Sequence, residues 1–531
     1  MGVTYPLCAT VTRFCRAPMG GSMRRTTAAA SVVTVLVPLL LAGASTASAA
    51  AKGSITVRTL DRSGKPVHAQ VAVYNTKTND FRYIDSNKAT SLPNGSYELA
   101  TSFTDAGDDG ATVGGHSVTV SGATKTTFDA RKGRPVNVSL SPKPGSGYDH
   151  TVSAYVCASD NSPATMGISA EAGDLYVIPT SSKAYEVSYG TAYQPQSATG
   201  GDFWLASATH RGGVPSGVSA TLKKSGLTTL KVSARSGPDS GQAQFSFSYQ
   251  STGGDGCSMS TNSLWFQRDL PNSFSVHLPP GEWNVGQQSR DFIYDGFHEY
   301  TAGKTTSLAL GHAVWGPGGR LPNTWYHQLY FGSINMFADP TLPAGGMLAD
   351  GTVKLTHAGK TLYSHNYARG EDVDGHPRIP GAGWYTLSET GHRSLPSGSL
   401  STSSSLSLHF YADPSKNQQI RDYITRFWPE ALNSRNQAAP GSTTTVALGM
   451  QRNGTDDSTV RQLSDSVKSV HAWYTTDNGA HWHAATAKPS GGKWTIAVHN
   501  PASGHVGLRS TVTDTHGDSS TTTVSNAYAV S

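Results

Sequence analysis

Apolar and polar positions alternate with a period of two along most of the chain. Ser54-Ile55-Thr56-Val57-Arg58-Thr59-Leu60 alternates, Asp61 to Val67 supplies a turn through Gly64 and Pro66, and Ala69 to Tyr74 alternates again. Successive side chains of a strand point to opposite faces, so this pattern predicts half-buried strands joined by turns. It recurs at Asp174 to Ile178, Thr228 to Val232 and Gln244 to Tyr249. Near the C-terminus it returns at Thr443 to Gln451, Val467 to Thr475, Trp494 to His499 and Val506 to Asp514. One short helix is expected near Lys416 to Phe427. No repeat of 20 to 50 residues is visible, which argues against a propeller or a solenoid. The pattern predicts an all-β protein of tandem β-sandwich modules.

The 531 residues allow three or four domains. Residues 53–141 read as a first sandwich, Pro142 to Gly147 as a linker, and residues 148–280 as a second sandwich. Residues 281–435 form an aromatic-rich β module, and residues 440–531 a last sandwich. In the first, Gly64-Lys65-Pro66-Val67 and Leu92-Pro93-Asn94-Gly95-Ser96-Tyr97 mark successive hairpins. Their order resembles the carboxypeptidase regulatory-like (prealbumin-like) module, and the last sandwich has an Ig-like pattern.

The composition adds a compartment. Arg24-Arg25, the apolar run Ala28 to Gly43 and the small residues Ala44 to Ala51 have the grammar of a secretory signal peptide over residues 1–51, with Met23 as an alternative start. The apolar run is too short for a membrane span. The first 50 residues hold four arginines and no acid; without them 41 basic residues become 37 against 36 acidic ones, a charge of +1. No basic stripe remains for nucleic acid. Cys157 and Cys257 are the two cysteines after the leader and are expected to pair in an oxidising compartment.

Several motifs resemble the C-terminal accessory region of large secreted actinobacterial subtilisin-like serine peptidases (subtilases). They are Thr127-Phe128-Asp129-Ala130-Arg131, Gly311-His312-Ala313-Val314-Trp315-Gly316-Pro317, Phe427-Trp428-Pro429-Glu430-Ala431-Leu432, and Tyr474-Thr475-Thr476-Asp477-Asn478-Gly479-Ala480-His481-Trp482 followed by Leu508-Arg509. The resemblance implies a non-catalytic accessory region. A subtilase also needs an Asp, a His-Gly-Thr start and a Gly-Thr-Ser-Met-Ala serine. Here Gly256-Cys257-Ser258-Met259-Ser260 has no preceding His-Gly-Thr, and no G-x-S-x-G elbow occurs. Catalytic residues are therefore none by motif, and the catalytic domain is expected to be missing.

Other clusters carry weaker chemistry. Trp283, Tyr294, Trp315 and Trp325 form a possible ligand platform. Glu282, Asp291, Asp295 and Glu299 lie among aromatics, and a hydrolase site assembled from Glu282, Glu299 and His312 is the enzymatic alternative. His481-Trp482-His483 puts two imidazoles on one strand face but lacks further zinc ligands. Asp105 to Gly110 is acidic enough for calcium but reads as a plain turn, so no cofactor is expected. The sequence points to a secreted, non-catalytic binding or accessory protein with an extracellular protein, peptide or polysaccharide partner, or to a carbohydrate- or cell-wall-binding protein.

Overall fold

The computed structural model describes residues 52–531, apart from 108–109, 159–161, 198–200, 239–240, 251–256, 258–262, 291–292, 320, 333–334, 341–348, 372, 453–460 and 463–466. The expected leader, Ser258, Asp108, Asp109 and Asp291 lie outside the described residues. Among those residues there are strands and two short 3-10 turns but no α-helix. No helix among them is long and apolar enough to cross a membrane.

The first sandwich uses β1 (Lys52–Leu60), β2 (Gln70–Asn75), β3 (Phe81–Asp85), β4 (Ala89–Pro93), β5 (Gly95–Thr104), β6 (Ala111–Val120) and β7 (Ala123–Asp129). One sheet has the order β4-β1-β7, with β1 antiparallel to β4 and parallel to β7. The other runs β3-β2-β5-β6. Alternation puts Ile55 and Val57 of β1 against Val71, Val73 and Leu99, all buried. Burying such side chains stabilises by about 1.5–3 kcal/mol each.

The same strand order then occurs twice more. The second sandwich comprises β8 (Arg134–Ser141), β9 (Tyr148–Ala158), β10 (Thr165–Glu171), β11 (Leu175–Ile178), β12 (Tyr185–Pro195), β13 (Asp202–Arg211) and β14 (Val218–Lys223). The third comprises β15 (Thr228–Ala234), β16 (Gly241–Gln250), β17 (Ser263–Leu270), β18 (Asn272–Leu278), β19 (Gly281–Ser289), β20 (Ile293–Tyr300) and β21 (Thr305–Leu310). In each, the first strand is antiparallel to the fourth and parallel to the seventh. The second strand pairs with the third and the fifth, and the fifth with the sixth. A shared device marks the start of the fifth strand. Tyr97 Oη donates to the Pro93 carbonyl at 2.8 Å and Trp283 Nε1 to the Pro279 carbonyl at 2.9 Å. The motif Leu278-Pro279-Pro280-Gly281-Glu282-Trp283 thus repeats Leu92 to Tyr97, with Trp in place of Tyr.

This pairing corrects the expected boundaries. Pro142 to Gly147 is no linker but the crossing from β8 to β9, between the two sheets of one sandwich. The expected break at 280/281 falls between β18 and β19, again inside a sandwich. Such sheet-to-sheet crossings need turn residues as much as linkers do, and composition does not tell them apart.

Neighbouring sandwiches share sheets. The first residues of β6, Ala111–Gly114, pair in parallel with Leu175–Ile178 of β11. Asp202–Trp204 of β13 pair in parallel with Ser275–His277 of β18. The sixth strands of the first and second sandwiches are thereby continued by the fourth strand of the next, giving two seven-stranded sheets. Tyr185 reinforces the first junction: its hydroxyl donates to the Leu99 carbonyl at 3.1 Å and accepts from the Leu99 amide at 3.0 Å. Gly115 leaves room for it, since a Cβ there would stand 2.6 Å from the Tyr185 ring. The expected disulfide is formed. Cys157 of β9 is bonded to Cys257, between β16 and β17, across the second junction.

Residues 350–412 add a four-stranded sheet (Asp350–His357, Lys360–Tyr367, Gly383–His392, Ser403–Ala412). Its last strand pairs with Ser519–Val530, so the third and fourth expected modules also share a sheet. The C-terminal sandwich is Ig-like. Ile424–Pro429, Thr443–Arg452, Lys493–His499 and Lys488–Ser490 form one sheet, against Val467–Thr475, Gly504–Asp514 and Ser519–Val530. The helix expected at Lys416 to Phe427 is absent. Gln418–Gln419 pairs with Asn323–Thr324, and Ile424–Pro429 is a strand. Ile420, Tyr423, Ile424 and Phe427 have helical spacing, yet all four are buried from extended chain.

Replacing both Cys157 and Cys257 by alanine is expected to lower stability by about 2–5 kcal/mol. The measurement is a shift of the denaturant midpoint with an unchanged far-ultraviolet dichroism spectrum.

Candidate functional site

Three of the four expected platform residues are core. Trp283 and Trp315 are 0% exposed and Tyr294 is 3% exposed. Trp283 alternates in phase with Val285, which turns it inward. Trp325 is different, with 47% of its surface open. It ends the strand Asn323–Trp325, which returns through Tyr326-His327 into Gln328–Gly332. Both turn residues have positive φ, 46° for Tyr326 and 63° for His327. A two-residue hairpin turn of this hand favours Gly or Asn, and L side chains there cost about 1–2 kcal/mol each.

The turn is nevertheless held firmly. The Tyr326 amide donates to Asn417 Oδ1 at 3.3 Å, the Ile379 amide to the His327 carbonyl at 3.0 Å, and Thr324 Oγ1 to the Lys416 carbonyl at 2.8 Å. On this support the Trp325 ring lies 4.7 Å from Tyr326 and 5.7 Å from Tyr330. Tyr330 stacks on His376 at 5.7 Å and donates to Gln328 Oε1 at 2.6 Å. Tyr326 is 70% exposed. A rigid, wet-edged aromatic surface results. Trp384 and Tyr411, directly opposite on adjacent strands, form a second exposed pair with ring centres 5.8 Å apart.

A cavity of about 610 Å³, lined by several polar residues, lies over the outer face of β17-β16-β19-β20. Gln267, Gln244, Gln288 and Ile293 form one cross-strand row there. Across the cavity stand Asp350, Arg369, His392 and Arg393. Asp350 Oδ1 accepts from the Arg369 amide at 2.9 Å, and Arg393 Nε donates to the Ser401 carbonyl at 2.8 Å.

The candidate hydrolytic residues fall at two kinds of place. Glu282 and Glu299 are cross-strand partners on the solvent side. His312 is 4% exposed: its amide donates to Asp339 Oδ2 at 2.9 Å, and its ring stacks on Trp428 at 3.7 Å. Asn436 closes the same junction, donating to the Ser236 and Gly311 carbonyls and accepting from the Ala313 amide. His481 and His483 are exposed, and His481 Nδ1 pairs with Asp477 Oδ2 at 2.6 Å. Hydrogen bonds from the His481 amide, the Thr475 hydroxyl and the His481 ring hold Asp477 well below the usual carboxylate range. Among the described residues no group of three His, Cys, Asp or Glu side chains could hold a metal ion.

No protein-family model matches the chain, and no curated protein matches it. Solved structures give distant likenesses. A streptococcal ancillary pilin is 12% identical, with 53% of this chain and 95% of that one covered, at a TM-score of 0.14. The Escherichia coli alpha-2-macroglobulin activated by porcine elastase is 9% identical, with 90% of this chain and 53% of that one covered, also at 0.14. Sidekick-1 immunoglobulin domains 1–5 are 8% identical, with 90% and 96% covered, at 0.12. The all-β assignment rests on the strand pairing of this chain.

Burial, and then the nearby Arg235 cation, pushes the His312 imidazole down to about 4 from 6.5. Between those values the unfolded chain takes up a proton that the folded chain refuses. This contribution to stability is therefore complete above pH 6.5 and is lost as pH falls to about 4, amounting to about 3 kcal/mol. His312→Gln is expected to lose that dependence. Denaturant titrations of both proteins at pH 7 and pH 4 should show the gap between them closing by about 3 kcal/mol at the lower pH.

Proposed function

We propose that the chain is a secreted, non-catalytic binding protein that holds a polysaccharide on the aromatic hairpin around Trp325 and Tyr326. One observation carries the reading: two bulky side chains sit at left-handed backbone positions and remain exposed, although glycine would fit there without strain. Strain that persists under many anchoring bonds is a mark of function. Flat rings flanked by the Gln328 amide and the His376 imidazole offer apolar faces and polar edges together, as sugar rings require.

The leader and the paired cysteines support an extracellular location. The motifs at Thr127 to Arg131, Gly311 to Pro317, Phe427 to Leu432 and Tyr474 to Trp482 support descent from a subtilase accessory region. The burial of His312 favours binding over hydrolysis.

Retention on insoluble polysaccharides such as cellulose and chitin tests this. The full chain should be retained, and Trp325→Ala and Tyr326→Gly should each lose retention. Tyr326→Gly should also gain about 0.5–1 kcal/mol in stability, because glycine relieves the left-handed strain. Unchanged retention in both variants, or release of soluble sugars, would contradict the reading.

A further inference from the structure

The outer face of the sheet β17-β16-β19-β20 is built as a trough. Along β17, Leu264, Phe266 and Arg268 are buried, so Trp265 and Gln267 point outward, and Trp265 is 56% exposed. On the opposite outer strand Phe297 is 59% exposed. The two inner strands carry short side chains between these rings. Ser246 pairs with Trp265 on one side and Gly286 on the other, and in the next row Asn284 stands between Ser248 and Phe297. A Cβ on Gly286 would stand 2.2 Å from Ser246 Oγ, so glycine keeps the floor low. Three strand spacings of about 4.8 Å set the aromatic walls about 14 Å apart.

On the other side of Trp265, Gln267, Gln244 and Gln288 bring three exposed side-chain amides side by side, where they line the cavity of about 610 Å³. That volume is typical of small-molecule sites. Each amide offers two N–H donors and a carbonyl acceptor. Asp350, Arg369 and His392 stand across the cavity from them. At the far end of the trough Glu282 and Glu299 are paired one row beyond Phe297. Guanidinium donors therefore stand at one end and carboxylates at both, so neither an anion nor a cation suits the whole length. A neutral polyol does: its hydroxyls accept from guanidinium and amide N–H groups and donate to carboxylates and amide carbonyls. The apolar faces of its rings can rest on Trp265 and Phe297.

We propose that the trough and the cavity together form a cleft that binds a single neutral oligosaccharide chain, laid along the strands from the amide row to Glu299. From Ile293 in that row to Glu299 the strand rises about 20 Å, room for several sugar rings. The cleft goes beyond the reading of the aromatic hairpin and does not depend on it, since none of its residues belongs to the segment Asn323 to Gly332. A recessed cleft admits a free chain, not the face of an insoluble one.

Isothermal titration of the full chain with cellohexaose, xylohexaose, maltohexaose and chitohexaose tests this, with hexagalacturonate as the anionic control. At least one neutral hexasaccharide should bind, more tightly than the matching disaccharide, and hexagalacturonate should not. Trp265→Ala should weaken binding by about tenfold. Gln244→Leu, which keeps much of the bulk and removes the amide, should weaken it by about fivefold. Both variants alter exposed side chains, so their far-ultraviolet dichroism should match that of the parent. Trp325→Ala should bind the hexasaccharide as the parent does, and Trp265→Ala should still be retained on insoluble polysaccharide, so that either site can fail alone. The proposal is overturned if no neutral hexasaccharide binds, or if hexagalacturonate binds in their place. Binding that is lost in Trp325→Ala and kept in Trp265→Ala would overturn it too, moving the ligand to the hairpin.

Discussion

A strand at the edge of a sheet has a row of amides and carbonyls that must find partners, and this protein meets that demand by passing sheets from one sandwich to the next. β6 is continued by β11 and β13 by β18, both in parallel. The core of each sandwich therefore depends on its neighbour for register as well as for cover. Tyr185 bonds into the backbone of β5 at one junction, and the Cys157–Cys257 bond clamps the other. A module cut from this series would expose an edge that the intact chain hides.

Downstream the same demand is met differently. Ser403–Ala412 is continued by the last strand of the chain, and a buried polar clasp replaces strand sharing between the third sandwich and its successor. Asn436, Arg235 and Ser236 join residues far apart in sequence there. His312 belongs to that clasp, which accounts for its burial. What stays outside these constraints is the strained hairpin at Trp325 to Gln328.

Much of the fold was legible in the alternation of side chains. Ser54 to Leu60 and the four C-terminal strands stand where the period of two placed them. Parity could also have separated Trp283, in phase with Val285, from Trp265, in phase with Gln267 and Asp269 and 56% exposed. The three-fold repeat was hidden because only Leu92 to Tyr97 and Leu278 to Trp283 retain its marker. In the second copy Ile178-Pro179 is followed by a longer connection before Tyr185. Helical spacing at Ile420 to Phe427 misled because pairing with distant strands outweighs local periodicity. The hairpin was the least legible part of the site. Tyr326-His327 contains no turn-forming residue, and its geometry is imposed by Asn417, Ile379 and Thr324 from elsewhere in the chain.

The central claim is that shared strands weld the first three sandwiches into one cooperative unit. Scanning calorimetry of a fragment spanning residues 52–310, beside the full chain, measures this directly. A single transition whose calorimetric and van't Hoff enthalpies agree is the expected result. Three separable transitions, each with the enthalpy of one sandwich, would contradict it.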